Sequence, residues 1–472
     1  MDLILTILAL LLLVTPGLLL TGLVVPGSMP GRGALRLGYG VLAGLVGVPL
    51  ILRLLDWIGV PLYFPVSGTS VAALSGALLL LLRRRGRLLP APAHRGSEAM
   101  ATLDRIALLL LLVLIGLKVA ILSVEVSLRP LFPWDATMHW ATKARVWLEH
   151  LELTPFVDNE QWLAASSGEV FTDHHAAYPV TIPLLQFWMT SAVGYWNDSL
   201  MNLPWLLCYV GLGAAFYGQA RETGASVLAS AVFTYFLMSM PLLGTHVALA
   251  GYADLFLGAC YCLAIMAFHN WSVRRQRWQA VLAAIFAFAC TLIKNEGFFW
   301  LLTFLPATLL VMYPGRKTLL ALCAALLVGV IGLLLFPRDL VIAGHSLAEL
   351  RIFFRPQAVR PVFESFFLHD SWHLLPYMVA GLLAASAAFN RPVFGEMRGV
   401  LIALGSALLL FLVLFLFTAY SGGAIRFTAI GRISLQLVPA AVFLSLLLFN
   451  SLQATERNRT AAPAAKQPAH HP

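Results

Sequence analysis

Apolar runs of roughly 18–22 residues recur along nearly the whole chain, and no other feature of the sequence restricts the fold so tightly. A helix of that length matches a hydrocarbon layer about 30 Å thick. Inside lipid the backbone has no water to bond, so each run must satisfy its own amides and carbonyls as a helix. The sequence therefore predicts an all-α polytopic membrane protein with about 12–13 transmembrane helices. They are expected near 3–25, 38–60, 65–82, 105–125, 200–219, 224–243, 253–272, 279–296, 298–313, 318–336, 373–389, 399–419 and 432–449. With 60% hydrophobic and only 11% charged residues, a soluble globular domain is excluded.

The net charge of +9 does not point to nucleic acid, because the basic residues are dispersed as short clusters between apolar runs. That distribution encodes topology. Arg83, Arg84, Arg85, Arg87 and Arg95 assign the loop after the third span to the cytoplasm, so the fourth span delivers 126–178 to the outer side. Strict alternation then puts Arg221, the Arg274-Arg275-Arg277 cluster, Arg316-Lys317, Arg391 and Arg398 inside. The scheme requires that the segment from Pro179 to about Trp196 does not cross; its two prolines and early polar side chain predict a re-entrant or interfacial helix. A second outer loop is expected at 337–371 and a disordered cytoplasmic tail at 453–472, with Lys466 in it. The first run has no basic leader or small-residue cleavage site and reads as a retained span. Cys208, Cys260, Cys262, Cys290 and Cys323 all fall within spans and read as apolar packing residues. Arg53 and Asp56, close on one helix, read as a structural pair, and Lys118 as a snorkelling or paired lysine.

Four polar islands fall at one membrane level in this topology: WDATMHWATKARVW (134–147), TDHHAAYP (172–179), GYADL (251–255) and IKNEG (293–297). Ionisable groups at span ends are costly to desolvate, so Asp254, Lys294 and Glu296 should pair or line a wet cavity. Arg426 and Arg432 join them from the last outer loop, and Arg338, Arg351, Arg355 and Arg360 from the second, where outer cations suit an anion such as a lipid phosphate. Each island also has a plainer structural reading. Asp135 stands where it could cap an amphipathic helix whose one face carries Trp140, Ala144, Trp147 and Leu151. Trp134, Trp140 and Trp147 read as interfacial anchors, and Lys294 with Glu296 as an ion pair closing a helix end. Asp173, His174 and His175 are adjacent and lack a matching ligand elsewhere, so they do not read as a metal site.

In their order these motifs resemble the C-type membrane glycosyltransferases (GT-C fold), and above all a poorly characterised bacterial branch. The resemblance is carried by Trp134-Asp135, Trp140, Lys143-Ala144, Tyr178-Pro179, Gly251-Tyr252-Ala253-Asp254 and Lys294-Asn295-Glu296-Gly297. It implies a glycosyltransferase core at 105–452, with 126–178 as its catalytic outer loop and 337–371 as a second outer loop, preceded by three helices of unassigned role at 1–104. It further implies a protein of the bacterial inner membrane with its site facing the periplasm. There it would move a sugar from a polyprenyl-phosphate donor to a lipid, glycan or protein acceptor. Inverting transfer needs a carboxylate base and cations around the leaving phosphate. Asp135 is the expected base with Asp254 as the second candidate, and Lys294, Arg426 and Arg432 the expected phosphate ligands. His139, Lys143, His175, Tyr178 and Glu296 are expected to contact sugar or acceptor. Several members carry paired acidic residues in this loop, whereas Asp135 stands between Trp134 and Ala136, so no obligatory metal or other cofactor is expected. The competing readings are a transporter or flippase of lipid-linked saccharide and an O-antigen polymerase or ligase.

Overall fold

The computed structural model describes residues 1–87, 100–165, 168, 170–335, 337, 339–342 and 345–464; Arg95, Arg338 and Lys466 lie outside them. In chain order the helices are α1 Asp2–Val24, α2 Arg32–Trp57, α3 Phe64–Arg84, α4 Thr102–Leu128, α5 Thr142–His150, α6 Asn159–Ala164, α7 Thr181–Val193 and α8 Leu203–Glu222. They continue with α9 Val227–Ser239, α10 Pro241–Ala248, α11 Asp254–Arg274, α12 Arg277–Ile293, α13 Glu296–Leu302, α14 Phe304–Met312, α15 Arg316–Leu335 and α16 Leu347–Leu350. The last are α17 Val359–Phe367, α18 Leu375–Phe389, α19 Val393–Glu396, α20 Arg398–Phe417, α21 Ser421–Ile425, α22 Ile430–Leu435 and α23 Val438–Ala464.

Eight of these helices are long and apolar enough to cross a membrane, and α9 with α10 makes a ninth, bent by 58°. The bend falls where Pro241 supplies no amide to the preceding turn. Shorter apolar helices (α12, the run α13–α14, and α18) and α15 stand where the other four spans were expected. The chain is thus an all-α polytopic membrane protein. α11 is apolar around its whole circumference and almost wholly buried, with α8, α12, α20 and α23 against it.

α7 has 13 residues, about 20 Å at 1.5 Å per residue, and is too short to cross. Every side chain from Thr181 to Ala192 is buried, so it lies enclosed by protein rather than at the membrane edge. Trp188 donates from Nε1 to the Ala9 carbonyl at 3.0 Å, joining α7 to α1.

The three N-terminal helices do not form a separate unit. Gly17 of α1 sits directly on the backbone of Gly40 and Gly44, and Gly38 of α2 on Gly211 and Ala215 of α8, leaving no room for a Cβ. A buried polar network locks this contact. Tyr39 Oη donates to the Leu263 carbonyl (2.7 Å), Gln219 Nε2 donates to Tyr39 Oη (2.8 Å), and Asn270 Nδ2 donates to Gln219 Oε1 (2.6 Å). At the end of the bundle carrying the first long loop, Leu62 N donates to Leu151 O and Leu153 N to Asp56 Oδ1, both at 2.8 Å. Asp56 therefore holds the loop backbone instead of pairing with Arg53, which is exposed.

Two further expectations are revised. α23 continues to Ala464, because Gln453, Ala454, Glu456 and Arg457 propagate a helix the span has already nucleated; only 465–472 of the expected tail lies outside the described residues. Cys208, Cys260, Cys262 and Cys290 are buried and free, but Cys323 is exposed on α15. Lys118 lays its ammonium over Gly244, at 3.2 Å from where a Cβ would stand.

Candidate functional site

α4 ends at Leu128, and Pro130 and Pro133 keep the next residues from continuing it. The chain then makes a widened π turn over Ala136–Ala141 and runs directly into α5. The amphipathic pattern predicted for this segment holds, with Trp140, Ala144 and Trp147 buried. Trp140 and Trp147 are accordingly core residues and not headgroup anchors, since the loop folds over them; Trp134 alone of the three is exposed.

His139 and Lys143, four residues apart, point inward to one carboxylate, Asp173, just beyond a short parallel pairing of Phe156–Val157 (β1) with Phe171–Thr172 (β2). Asp173 Oδ1 lies 2.7 Å from His139 Nδ1 and accepts from the His175 amide at 3.0 Å, while Oδ2 lies 2.6 Å from Lys143 Nζ. Burial acts to raise the Asp173 pKa, but the donors His139, Lys143 and the His175 amide outweigh it and hold it down to about 2. Lys143 moves the other way from a favoured cation: only 2% exposed, its ammonium is lowered because burial exceeds what Asp173 returns. The carboxylate is thus the well-satisfied partner and the lysine the costly one. Lys143 Nζ also donates to His175 O at 3.1 Å.

Tyr178 links this loop to the rest of the site. Its ring stacks on Trp140 (centroids 5.0 Å, planes 12° apart) and on His175 (4.7 Å, 21°). Burial raises the pKa of its phenol, which lies within the electrostatic reach of Lys294, Glu296, Asp254 and Tyr420.

The second cluster forms where two span ends meet. Gly251 has φ +114°, and a Cβ there would strike Ala136, so the GYAD turn can approach the π turn only through a glycine. Asp254 opens α11, while Lys294 is extended in the break between α12 and α13. Gly297 makes that break possible by closing onto the Cys290 carbonyl. Lys294 Nζ lies 3.0 Å from Asp254 Oδ1 and 2.9 Å from Glu296 Oε1. Gln436 Nε2 donates to Asp254 Oδ1 (2.6 Å), and Trp300 Nε1 donates to Gln436 Oε1 (2.6 Å).

The third contact joins residues 297 apart in sequence: the Arg432 guanidinium pairs with Asp135 and lies over the Tyr252 ring, 4.9 Å from its centroid. Asp135 makes no capping hydrogen bond, so its carboxylate serves this ion pair and not the turn beneath it. It is one-third exposed, whereas Asp254 is 1% exposed.

Nine of the ten side chains singled out in sequence are therefore brought into one neighbourhood. Arg426 is apart: it is exposed, its guanidinium folds back over Gly422, and it takes no part in the contacts above. Sequence reasoning missed Asp173 as the hub of the first loop, and Gln436, Tyr252 and Trp140 as contact residues. Asp173 had a signal: two basic-capable side chains four apart on an inward helical face require a nearby acid.

Beside Tyr178 a cavity of about 400 Å³ opens, lined among others by Asp158, Gln161, His174, His175 and Asn295. Among the described residues no three of His, Cys, Asp and Glu converge as metal ligands. Fold and site together define a multi-pass helical membrane protein with a composite polar site assembled from its loops and span ends. Comparison with models of known families, with curated proteins and with solved structures gives no match.

Proposed function

We propose that this chain is a GT-C-like glycosyltransferase of the bacterial inner membrane, crossing it about thirteen times with its site towards the periplasm. In this reading it transfers a sugar from polyprenyl phosphate to an outer acceptor. The observation that carries the reading is the Asp135–Arg432 ion pair, set beside the Lys294 cluster and a ligand-sized cavity.

The geometry favours Asp135 over Asp254 as base. Asp254 is enclosed and already accepts from Lys294 and Gln436, while Asp135 is partly exposed and has a single cationic partner among the described residues. A donor phosphate arriving at Arg432 gives the guanidinium a second anion and loosens its hold on Asp135. The freed carboxylate accepts the proton of the acceptor hydroxyl as its oxygen attacks the anomeric carbon. The bond from that carbon to the phosphate oxygen breaks, and its electron pair leaves with the polyprenyl phosphate, opposite Arg432. Lys294, neutralised by two carboxylates, is better suited to fixing the site than to binding phosphate. Its positive charge still lies near Tyr178, on the cavity wall.

The test is incorporation of radiolabelled sugar from polyprenyl-phosphate donors by membranes containing the wild-type protein, the Asp135→Asn variant, or neither. Incorporation with wild type alone is expected. Label transferred equally by Asp135→Asn removes the carboxylate from the chemistry. No transfer from any donor, with altered sidedness of the lipid-linked sugar, replaces the enzyme by a transporter.

A further inference from the structure

The cavity beside Tyr178 is not needed for the phosphate end of the reaction, and its chemistry differs from that of the ion cluster. Its volume, about 400 Å³, lies in the range of small-molecule sites, roughly 300–1,000 Å³. Among the described residues that line it, Asp158 is the only one with a fixed charge, and no lysine or arginine is among them. Phe156, His174, His175 and Tyr178 contribute aromatic rings to one part of the wall. Two carboxamides, Gln161 and Asn295, make another.

Those carboxamides are available. Among the described residues the side chains of Gln161 and Asn295 form no hydrogen bond, although each can donate two and accept two. Asp158 has one oxygen engaged by the Gln161 amide (2.8 Å), as the cap of α6, and its other oxygen remains an acceptor. An apolar ligand would leave three polar groups unmet; an anionic one would meet the Asp158 carboxylate with no cation on the wall to balance it. A sugar ring satisfies the whole lining. Its apolar face packs on aromatic rings, and its hydroxyls both donate to Asp158 and exchange hydrogen bonds with the carboxamides.

We propose that this cavity binds a neutral, hydroxyl-rich saccharide, and that on the glycosyltransferase reading it is the acceptor subsite. The position fits that role. Asn295 directly follows Lys294, and Tyr178 lines the cavity while its phenol lies in the field of Lys294, Asp254 and Glu296. A saccharide held here would present a hydroxyl towards the ion cluster, where the donor phosphate is expected.

The experiment uses the purified full-length protein in lipid nanodiscs. Saturation-transfer NMR measures binding of neutral gluco-, galacto- and mannotrioses and of the same trioses carrying a terminal phosphate. Wild type, Gln161→Ala, Asn295→Ala and the double variant are compared. Binding of at least one neutral triose, weakened about tenfold by the double variant through two lost hydrogen bonds, is the expected result. Phosphorylation of that triose should weaken binding further. Binding of none of the neutral trioses, binding unchanged in the double variant, or tighter binding of the phosphorylated triose each overturns the assignment. Binding of polyprenyl phosphate, measured in parallel, should be unchanged in the single and the double variants, which separates loss of the cavity from loss of the fold. Triose binding without sugar transfer from any donor would leave the cavity assigned and the enzyme reading refuted.

Discussion

Replacing Asp173 by asparagine preserves the shape of a buried side chain and removes its charge. The donors around Asp173 hold its carboxyl from an ordinary 3.8 down to about 2, so the folded loop favours the ionised form by about 2–3 kcal/mol, at about 1.4 kcal/mol per tenfold. The substitution also strands the ammonium of Lys143 in a site where it is 2% exposed, and losing one partner of a buried pair costs about 3–5 kcal/mol. The loop should open more readily by about 2–4 kcal/mol, so hydrogen exchange of amides in 136–150 and 171–178 should accelerate at least about thirtyfold. Exchange in α8 and α11 should not change. Lys143→Met should cost far less, since burial already works against that cation, and adding it to Asp173→Asn should restore most of the protection. The pH dependence has a definite sign: a carboxylate depressed on folding contributes fully above about pH 4 and loses that contribution as pH falls from about 4 to about 2. Wild type should therefore loosen in this window and Asp173→Asn should not. Mass-spectrometric exchange that is equal in wild type and Asp173→Asn at pH 7 would refute the argument.

Lys294→Met leaves Asp254 enclosed with only Gln436 as donor and should lower stability by about 3–5 kcal/mol; thermal unfolding in detergent should show the loss, and Lys294→Met with Asp254→Leu should recover part of it. Asp56→Ala removes the acceptor of the Leu153 amide, about 1–3 kcal/mol for a part-buried group, and should speed limited proteolysis near 151–155 without altering the spans. Tyr178→Leu forfeits two ring stacks, each worth about 0.5–1.5 kcal/mol, whereas Tyr178→Phe keeps them; equal melting temperatures for the two variants would show that the stacks contribute nothing.

The helices were legible because a membrane imposes one rule on every span, and apolar run length states it directly. The inward face of α5 was legible too, since Trp140, Ala144 and Trp147 repeat at helical spacing. The tryptophans themselves misled, because burial under a folded loop and anchoring at a headgroup layer leave the same residue type in the same place. Pairing was harder. Asp254 with Lys294 could be anticipated from cost, as two span-end charges that need each other, but the Arg432 partner of Asp135 depends on how α22 docks. Gln436 was invisible for the same reason. Asp56 was assigned to its neighbour on the helix, Arg53, because local spacing says nothing about a loop that arrives 97 residues later.

The Tyr39 network has a consequence for biogenesis. Tyr39 enters the bilayer with α2, yet its Gln219 partner is 180 residues further along the chain. At translation rates of about 5–20 residues per second, the phenol waits roughly 9–36 s before that partner exists. During the interval α2 carries an unsatisfied hydroxyl and a face of small residues with nothing against it. Efficient production should therefore depend on an insertase or chaperone that shelters early helices, and slowing synthesis between α3 and α8 should favour degradation of the nascent chain over assembly.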